Sequence, residues 1–497
     1  MLLSLRRTVF ASVLLGSLIF VQVCCADDIR KMVDNGDDAQ KFVWVILSEG
    51  YRAQEADTFR EDAQDLIDAF LAATPFKEYQ SAINIYTLFR ASDQSGADHP
   101  SQGVYIETAF HATFDSYGMA RLLTVDSSAA FNAAMQIPHF DVVFAVVNDD
   151  QYGGSGGSVI AVSTHASSNE IALHEAGHVI GKLADEYETP YPGYPSGDPE
   201  PNVTYQSQKK NIPWSAWIDD LTQVPTPDLT LNTVGLFEGA RYIADGIYRP
   251  TFTSKMRSLN QPFYEVNTEA LILRIYDYVN PIQETGPQET LVALSPGAAS
   301  KFWVDTIAVD TFDILWEVDG QVLENEAGAT FAMLPSAVKQ GRHTVSVWVS
   351  DVTDLVRADT EDVLTARQTW EVEKAFCSGQ LKVSAFDAQT GEVLAAEAEA
   401  LTSDITQAAA DGSIVFDDLA CGSQQLIVEA EGYVPAEQEV SIADGKTAGL
   451  TVRLERLDLP EPVGEALYIS GTISGDVKAG VGIALVEDAG MTVIAGA

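Results

Sequence analysis

Fifteen consecutive residues constrain this chain more than any others: Leu-His-Glu-Ala-Gly-His-Val-Ile-Gly-Lys-Leu-Ala-Asp-Glu-Tyr, from Leu173 to Tyr187. On a helix, His174 and His178 lie one turn apart on one face, about 6 Å along the axis, so both imidazoles can converge on one ion. Zinc accepts neutral imidazole nitrogen and keeps an open position in catalytic sites. Glu175 sits on the flank of that face, where a carboxylate can take a proton from an attacking water and pass it to a leaving amine. The plain alternative is a surface helix with two ordinary histidines. With 7 histidines in 497 residues, chance places His-Glu-x-x-His somewhere in about one chain in a hundred.

The third ligand is a problem of geometry. Asp185 is eleven residues past His174, and a continuous helix would carry it about 16 Å along the axis, out of reach. The helix must therefore end and the chain turn back, and Gly181 is expected to do this by taking a left-handed conformation. Ala184 stands where a longer three-histidine pattern would place another imidazole, and it has no ligating atom. Asp185 is the expected third ligand, Glu186 comes next, and Glu188 or Asp198 after that. For both adjacent acids the competing reading is a solvated or salt-bridged loop.

Around this motif the chain divides into regions. It opens with Arg6 and Arg7, an apolar run from Thr8 to Val23, and Cys24-Cys25-Ala26 before acidic residues, which is the order of a secretory signal peptide. The run is shorter than a spanning helix requires. Val-Gln-Val ahead of Cys24 lacks the small residues of a lipidated bacterial cysteine, so cleavage after Ala26 is expected over lipid anchoring, and the mature protein is expected outside the cell or in the periplasm. A net charge of −43 repels nucleic acid and anionic lipid. Cys377 and Cys421 remain after the leader, and in an exported chain they are expected to pair.

From 27 to 285 the pattern is mixed α and β. Phe42–Ser48 is a wholly apolar strand, Gln54–Ala73 has helical spacing, and strands follow at Ile83–Phe89 and Asp141–Val147. Glycines at 153, 154, 156 and 157 precede the strand Ser158–Ser163 and then the motif helix; no phosphate-loop Lys-Ser or Lys-Thr follows them. The rim they form could accept an extended peptide by backbone pairing. A last helix is expected from Asn267 to Tyr278. From 286 to 374, short strands with Asp-Gly turns argue for an immunoglobulin-like β-sandwich with Trp316 and Trp348 in its core. A second all-β unit runs from 375 to 456, and its Asp411–Tyr433 pattern resembles the carboxypeptidase-regulatory-like sandwich. A linker and partial β-module fill 457–497. Both sandwiches could contact surfaces, glycans or substrate.

Beyond the helix, the residues resemble a known family. His174 to Tyr187 is similar to the signature of the secreted bacterial zinc endopeptidases first known as IgA-specific metallopeptidases. Ser48-Glu-Gly-Tyr51, Thr74-Pro-Phe-Lys-Glu-Tyr79 with Asn84, Tyr152-Gly-Gly-Ser-Gly156, Tyr248-Arg-Pro250 and Lys255-Met-Arg257 extend the resemblance over most of residues 40–280. It implies a metzincin-like fold, zinc held by His174, His178 and Asp185, Glu175 as catalytic acid and base, and a methionine turn at Met256. Tyr187 and Tyr248 are candidates to stabilise the oxyanion. His99, His111, His139, His165 and His343 lack ligand spacing and are read as structural. The expectation is a secreted zinc metalloendopeptidase acting on protein or peptide. An inactive adhesive scaffold, or a zinc hydrolase acting on other bonds, are the rival classes.

Overall fold

The computed structural model describes residues 26–191, 199–227 and 233–457, and the backbone of 482–487 and 490–496. The leader apart from Ala26, Asp198, and most of the linker after 457 lie outside the described residues. The chain forms two units. The first holds residues up to Gln380 together with Asp417–Cys421 and Ala443–Lys446, and the second holds Leu381–Phe416, Gly422–Ile442 and the chain from Thr447.

The first unit begins with β1 (Asp28–Val33), β2 (Phe42–Glu49), α1 (Ala56–Ala72), β3 (Ile83–Phe89), α2 (Ser127–Ala134), β4 (Phe140–Val147), β5 (Gly154–Ser155), β6 (Ile160–Ser163) and α3 (Ser168–Val179). Six strands make one sheet in the order β1-β3-β2-β4-β6-β5. β2 is parallel to both β3 and β4, β6 is parallel to β4, and the edges β1 and β5 run antiparallel. Burial on both faces explains why β2 reads as continuously apolar. Successive side chains point to opposite faces: Phe42, Trp44 and Ile46 join Phe59, Leu66 and Phe70 of α1 and Ile171 and Ala176 of α3. Val43, Val45 and Leu47 join Ala130, Ala133 and Ala134 of α2 with Phe110 and Phe114. The sheet is thus covered on both sides, and α3 rests on its β5–β6 end.

A β-hairpin, β7 (Phe237–Ala240) and β8 (Ile243–Arg249), and α4 (Tyr264–Ile275) follow. β9 (Ile282–Gly286) pairs with β11 (Ser300–Thr306), which pairs with β14 (Thr330–Met333). β10 (Leu291–Ala293), β12 (Phe312–Val318), β13 (Gln321–Ala327), β15 (Gly341–Asp351) and β16 (Thr365–Lys374) form a second sheet in the order β10-β16-β15-β12-β13. The tryptophan core differs from expectation. Trp316 is fully buried, but its partner is Trp370, whose ring lies 6.1 Å away. The alternation of β15 buries Val345, Val347 and Val349 and turns Trp348 outward, where Arg367 covers it at 4.6 Å.

This sandwich is packed into the peptide chain that precedes it. The segment after β15 places Leu355, Val356, Val363 and Leu364 against the same apolar cluster that holds Trp44 and Phe70. Asp351, 5 % exposed, accepts hydrogen bonds from Tyr79 Oη at 2.5 Å and Tyr276 Oη at 2.7 Å, and from Thr311 Oγ1. Glu269 of α4 accepts from the Arg357 and Ala358 amides and from Trp217 Nε1.

Cys377 and Cys421 are joined in a disulfide. The second unit is all β, built on a three-stranded and a four-stranded sheet within residues 378–454, followed by a hairpin of Gly482–Glu487 and Gly490–Gly496. Among the described residues no helix is long and apolar enough to cross a membrane.

Replacing Asp351 with alanine removes the carboxylate to which two buried phenols donate, and an underpaired buried polar group costs about 1–3 kcal/mol. Asp351→Ala is expected to lower the unfolding free energy by that order, seen as a lower denaturant midpoint, and Asp351→Asn by less. An unchanged midpoint in both variants would show that the carboxylate does not hold this junction.

Candidate metal centre

Small residues bring α3 close to the sheet and to the turn beneath it. A β-carbon on Gly177 would lie 2.4 Å from Met256 Sδ, so Met256, fully buried, sits directly under the helix one residue before His178. Backbone carbonyls of that turn and of the chain after α3 orient the two imidazole rings. His174 Nδ1 is 2.9 Å from the Lys255 carbonyl and His178 Nδ1 is 2.7 Å from the Leu183 carbonyl. A carbonyl only accepts, so both Nδ1 atoms carry the proton and both Nε2 lone pairs face inward, the arrangement typical of metal-binding imidazoles.

The two Nε2 atoms are 3.2 Å apart, and Asp185 Oδ1 lies 3.2 Å from one and 3.4 Å from the other. Ligands about 2.0–2.1 Å from a tetrahedral zinc stand about 3.3–3.4 Å from each other, so these three donors fit such an ion. Oδ1 is buried and forms no well-aligned hydrogen bond, while Oδ2 accepts from Tyr242 Oη at 2.8 Å. Electrostatics favour positive charge at this point. Burial opposes a charged His178, but Asp185 outweighs it and pushes the imidazole up to about 9, so at neutral pH a proton competes with a cation for its inward Nε2. Burial alone would raise Asp185; the imidazoles of His174 and His178 outweigh it and hold the carboxyl well below its usual range.

The turn that delivers Asp185 is not made as expected. α3 ends at Val179, and the left-handed residue is Lys182, with φ 53°, rather than Gly181. Gly181 is required for space: a β-carbon there would meet the Gly177 carbonyl at 2.9 Å and Leu183 and Leu271 at 3.0 Å. Ala184 then faces an apolar cluster with Val203, Ala240 and Ile247, and Asn202 pairs with both its amide and its carbonyl. That pairing turns the next side chain, Asp185, toward the histidines.

The other acids have different partners. Glu186, fully buried, accepts from Asn202, Asn267 and Ser254 at 3.1, 3.0 and 2.7 Å. Burial pushes its carboxyl up in spite of these donors, and its amide binds the Met256 carbonyl. Glu186 thus braces the backbone at Ser254 and Met256 and faces away from the centre. Glu188 pairs with Arg257 at 3.0 Å.

Glu175 is half-buried on the flank of α3, and Gly156 lies over it so closely that a β-carbon there would sit 2.6 Å from Oε2. Tyr187 stands with its ring 6.2 Å from that of His174; burial, then the charge of Asp185, push its hydroxyl up to about 12, so it keeps its proton. Tyr248 goes elsewhere: its backbone pairs with Thr204 and its side chain packs on the Trp214 cluster. The tyrosine that reaches the centre, Tyr242, carried no sequence signal. The rim also differs from expectation. Gly154 pairs with β6 on one side and gives its amide to the Arg121 carbonyl on the other, which leaves Gly156 to Ser158 as its exposed stretch.

Asp185→Ala should lower zinc affinity by at least about a hundredfold, beyond the loss typical of an outer partner. Glu186→Gln should leave that affinity close to wild type while costing about 1–3 kcal/mol of stability. Competition with a chelating indicator and denaturant melts measure the two effects, and the reverse pattern would transfer the ligand role to Glu186.

With this geometry in view, comparison with known proteins gives one family match: residues 30–232 fit the family model described as IgA Peptidase M64. No curated protein matches. Among solved structures, the chain is similar to the Bacillus anthracis TIE protein at 13 % identity over 39 % of this chain and 50 % of that one, with a TM-score of 0.17. BcpA, the major pilin subunit of Bacillus cereus, follows at 9 % identity over 35 % of this chain and 69 % of that one, with a TM-score of 0.17. The chain spans half the length of the TIE protein, and at these scores neither likeness bears on the site. The resemblance read from His174–Tyr187 is thus matched by the family model, and the matched residues 30–232 contain His174, Glu175, His178 and Asp185.

Proposed function

We propose that the protein is a secreted zinc metalloendopeptidase with a metzincin-like catalytic region, and that His174, His178 and Asp185 hold the metal. The observation that carries this is the triangle of two inward-facing Nε2 atoms and one buried carboxylate oxygen, with edges of 3.2–3.4 Å, beside Glu175. Zinc bound there would supply a Lewis acid that polarises a peptide carbonyl and acidifies water.

The chain's own residues do the rest. Glu175 takes a proton on its carboxylate as water attacks the carbonyl carbon, then delivers it to the leaving amine nitrogen. Tyr187, protonated and beside His174, is placed to donate a hydrogen bond to the tetrahedral oxyanion. The exposed backbone from Gly156 to Ser158 is placed to pair with an extended substrate directly above Glu175. A side chain on Gly156 would crowd the Glu175 carboxylate.

Casein hydrolysis by the purified chain tests the assignment. Activity should vanish with a chelator and return with zinc, and Glu175→Ala should cost about 10²–10⁴-fold in kcat with zinc content unchanged. Activity that survives both treatments would sink the zinc mechanism, and zinc uptake without hydrolysis of any protein would favour a scaffold. Gly156→Ala is expected to fold, because the Glu175 carboxylate can swing aside and the Glu175 carbonyl oxygen at 3.2 Å needs only a small shift, yet to lose about a hundredfold in kcat through that displacement; wild-type turnover would remove Gly156 from the site.

A further inference from the structure

The hairpin of β7 and β8 lies outside the residues matched by the family model, yet its tip touches the centre. Its two-residue turn is Arg241-Tyr242, and both residues have left-handed backbones, with φ 54° and 58°. Turns of this kind favour Asn and Gly, so a tight hairpin alone does not call for an arginine and a tyrosine here. Their contacts supply a reason. The Arg241 amide donates to the Asp185 carbonyl at 2.9 Å, and the Tyr242 amide donates to the Tyr187 carbonyl at 2.7 Å. Tyr242 Oη donates to Asp185 Oδ2 at 2.8 Å. The rings of Tyr187 and Tyr191 flank that of Tyr242 at 5.6 and 5.7 Å, and Arg241 pairs with Glu200 at 3.1 Å.

We propose that this turn is a clamp for the third ligand, with Tyr242 as a positioning residue that occupies Oδ2, presents Oδ1 to the two imidazoles and thereby sets metal affinity. The proposal rests on the metal-centre reading above. It explains how an aspartate, with a short side chain and two equivalent oxygens, is held in one orientation where an imidazole would be oriented by a hydrogen bond to its own second nitrogen. An aspartate needs an outer donor for the same purpose, and such partners typically contribute 10–100-fold to metal affinity.

The test uses the full chain freed of metal, titrated with Zn²⁺ alone against a chelating indicator, and Co²⁺ absorption as a report on the ligand set. Tyr242→Phe should keep the apo melting temperature within a few degrees, lower zinc affinity by about 10–100-fold and change the cobalt spectrum. In an Asp185→Ala background the same substitution should do nothing further, because it acts through that carboxylate. Unchanged zinc affinity in Tyr242→Phe would overturn the clamp, as would an equal loss in the Asp185→Ala background or a collapse of the apo protein. A wild-type chain that takes up zinc independently of His174 and His178 would instead sink the metal-centre reading, and the clamp with it.

Discussion

Two backbone carbonyls govern the arrangement at the heart of this protein. Lys255 and Leu183 each fix the proton of one imidazole on Nδ1, and only then can both Nε2 atoms face the same point. The requirement reaches far into the fold. Lys255 O is in place because Met256 lies under Gly177 and because Ser254 is bound by Glu186. Leu183 O is in place because α3 stops at Val179 and the chain bends at Lys182. A buried carboxylate, a methionine and a crowded glycine therefore serve ring orientation without touching the centre.

The same dependence explains what could be read in advance. The strands at 42–49, 83–89 and 140–147, and helices α1 and α3, were legible because apolar period and length differ between the two kinds of element. His174, Glu175 and His178 were legible because an i, i+4 spacing on a helix fixes their separation. Asp185 was the expected ligand with Glu186 next, and little in the local sequence separates the two acids. The distinction comes from Asn202, sixteen residues beyond Glu186, and from Asn267 and Ser254, all of which bind Glu186. Tyr242 was out of reach for the same reason. Gly181 was identified as necessary for the turn, but through torsion, while the structure uses its lack of volume against Leu271.

In the sandwich, period-two alternation was legible but its phase was not. Trp348 and Trp370 both look like core residues in isolation, and the valines at 345, 347 and 349 settle which face of β15 is inside. The pairing of Trp348 with Arg367 across the strands then gives the outward ring a partner suited to solvent.

Asp351 has a consequence for heredity. A module that lends a carboxylate to two tyrosines of its neighbour and plugs that neighbour's core with Leu355 and Val356 is not an exchangeable cassette. Recombination at the junction near residue 285 would separate donors from acceptor and leave both halves with buried groups unmatched. The region that carries the metal-centre candidate and this first sandwich are therefore expected to descend together, with change at positions 79, 276 and 351 tolerated only in concert, while a module without such bonds could be gained or lost freely.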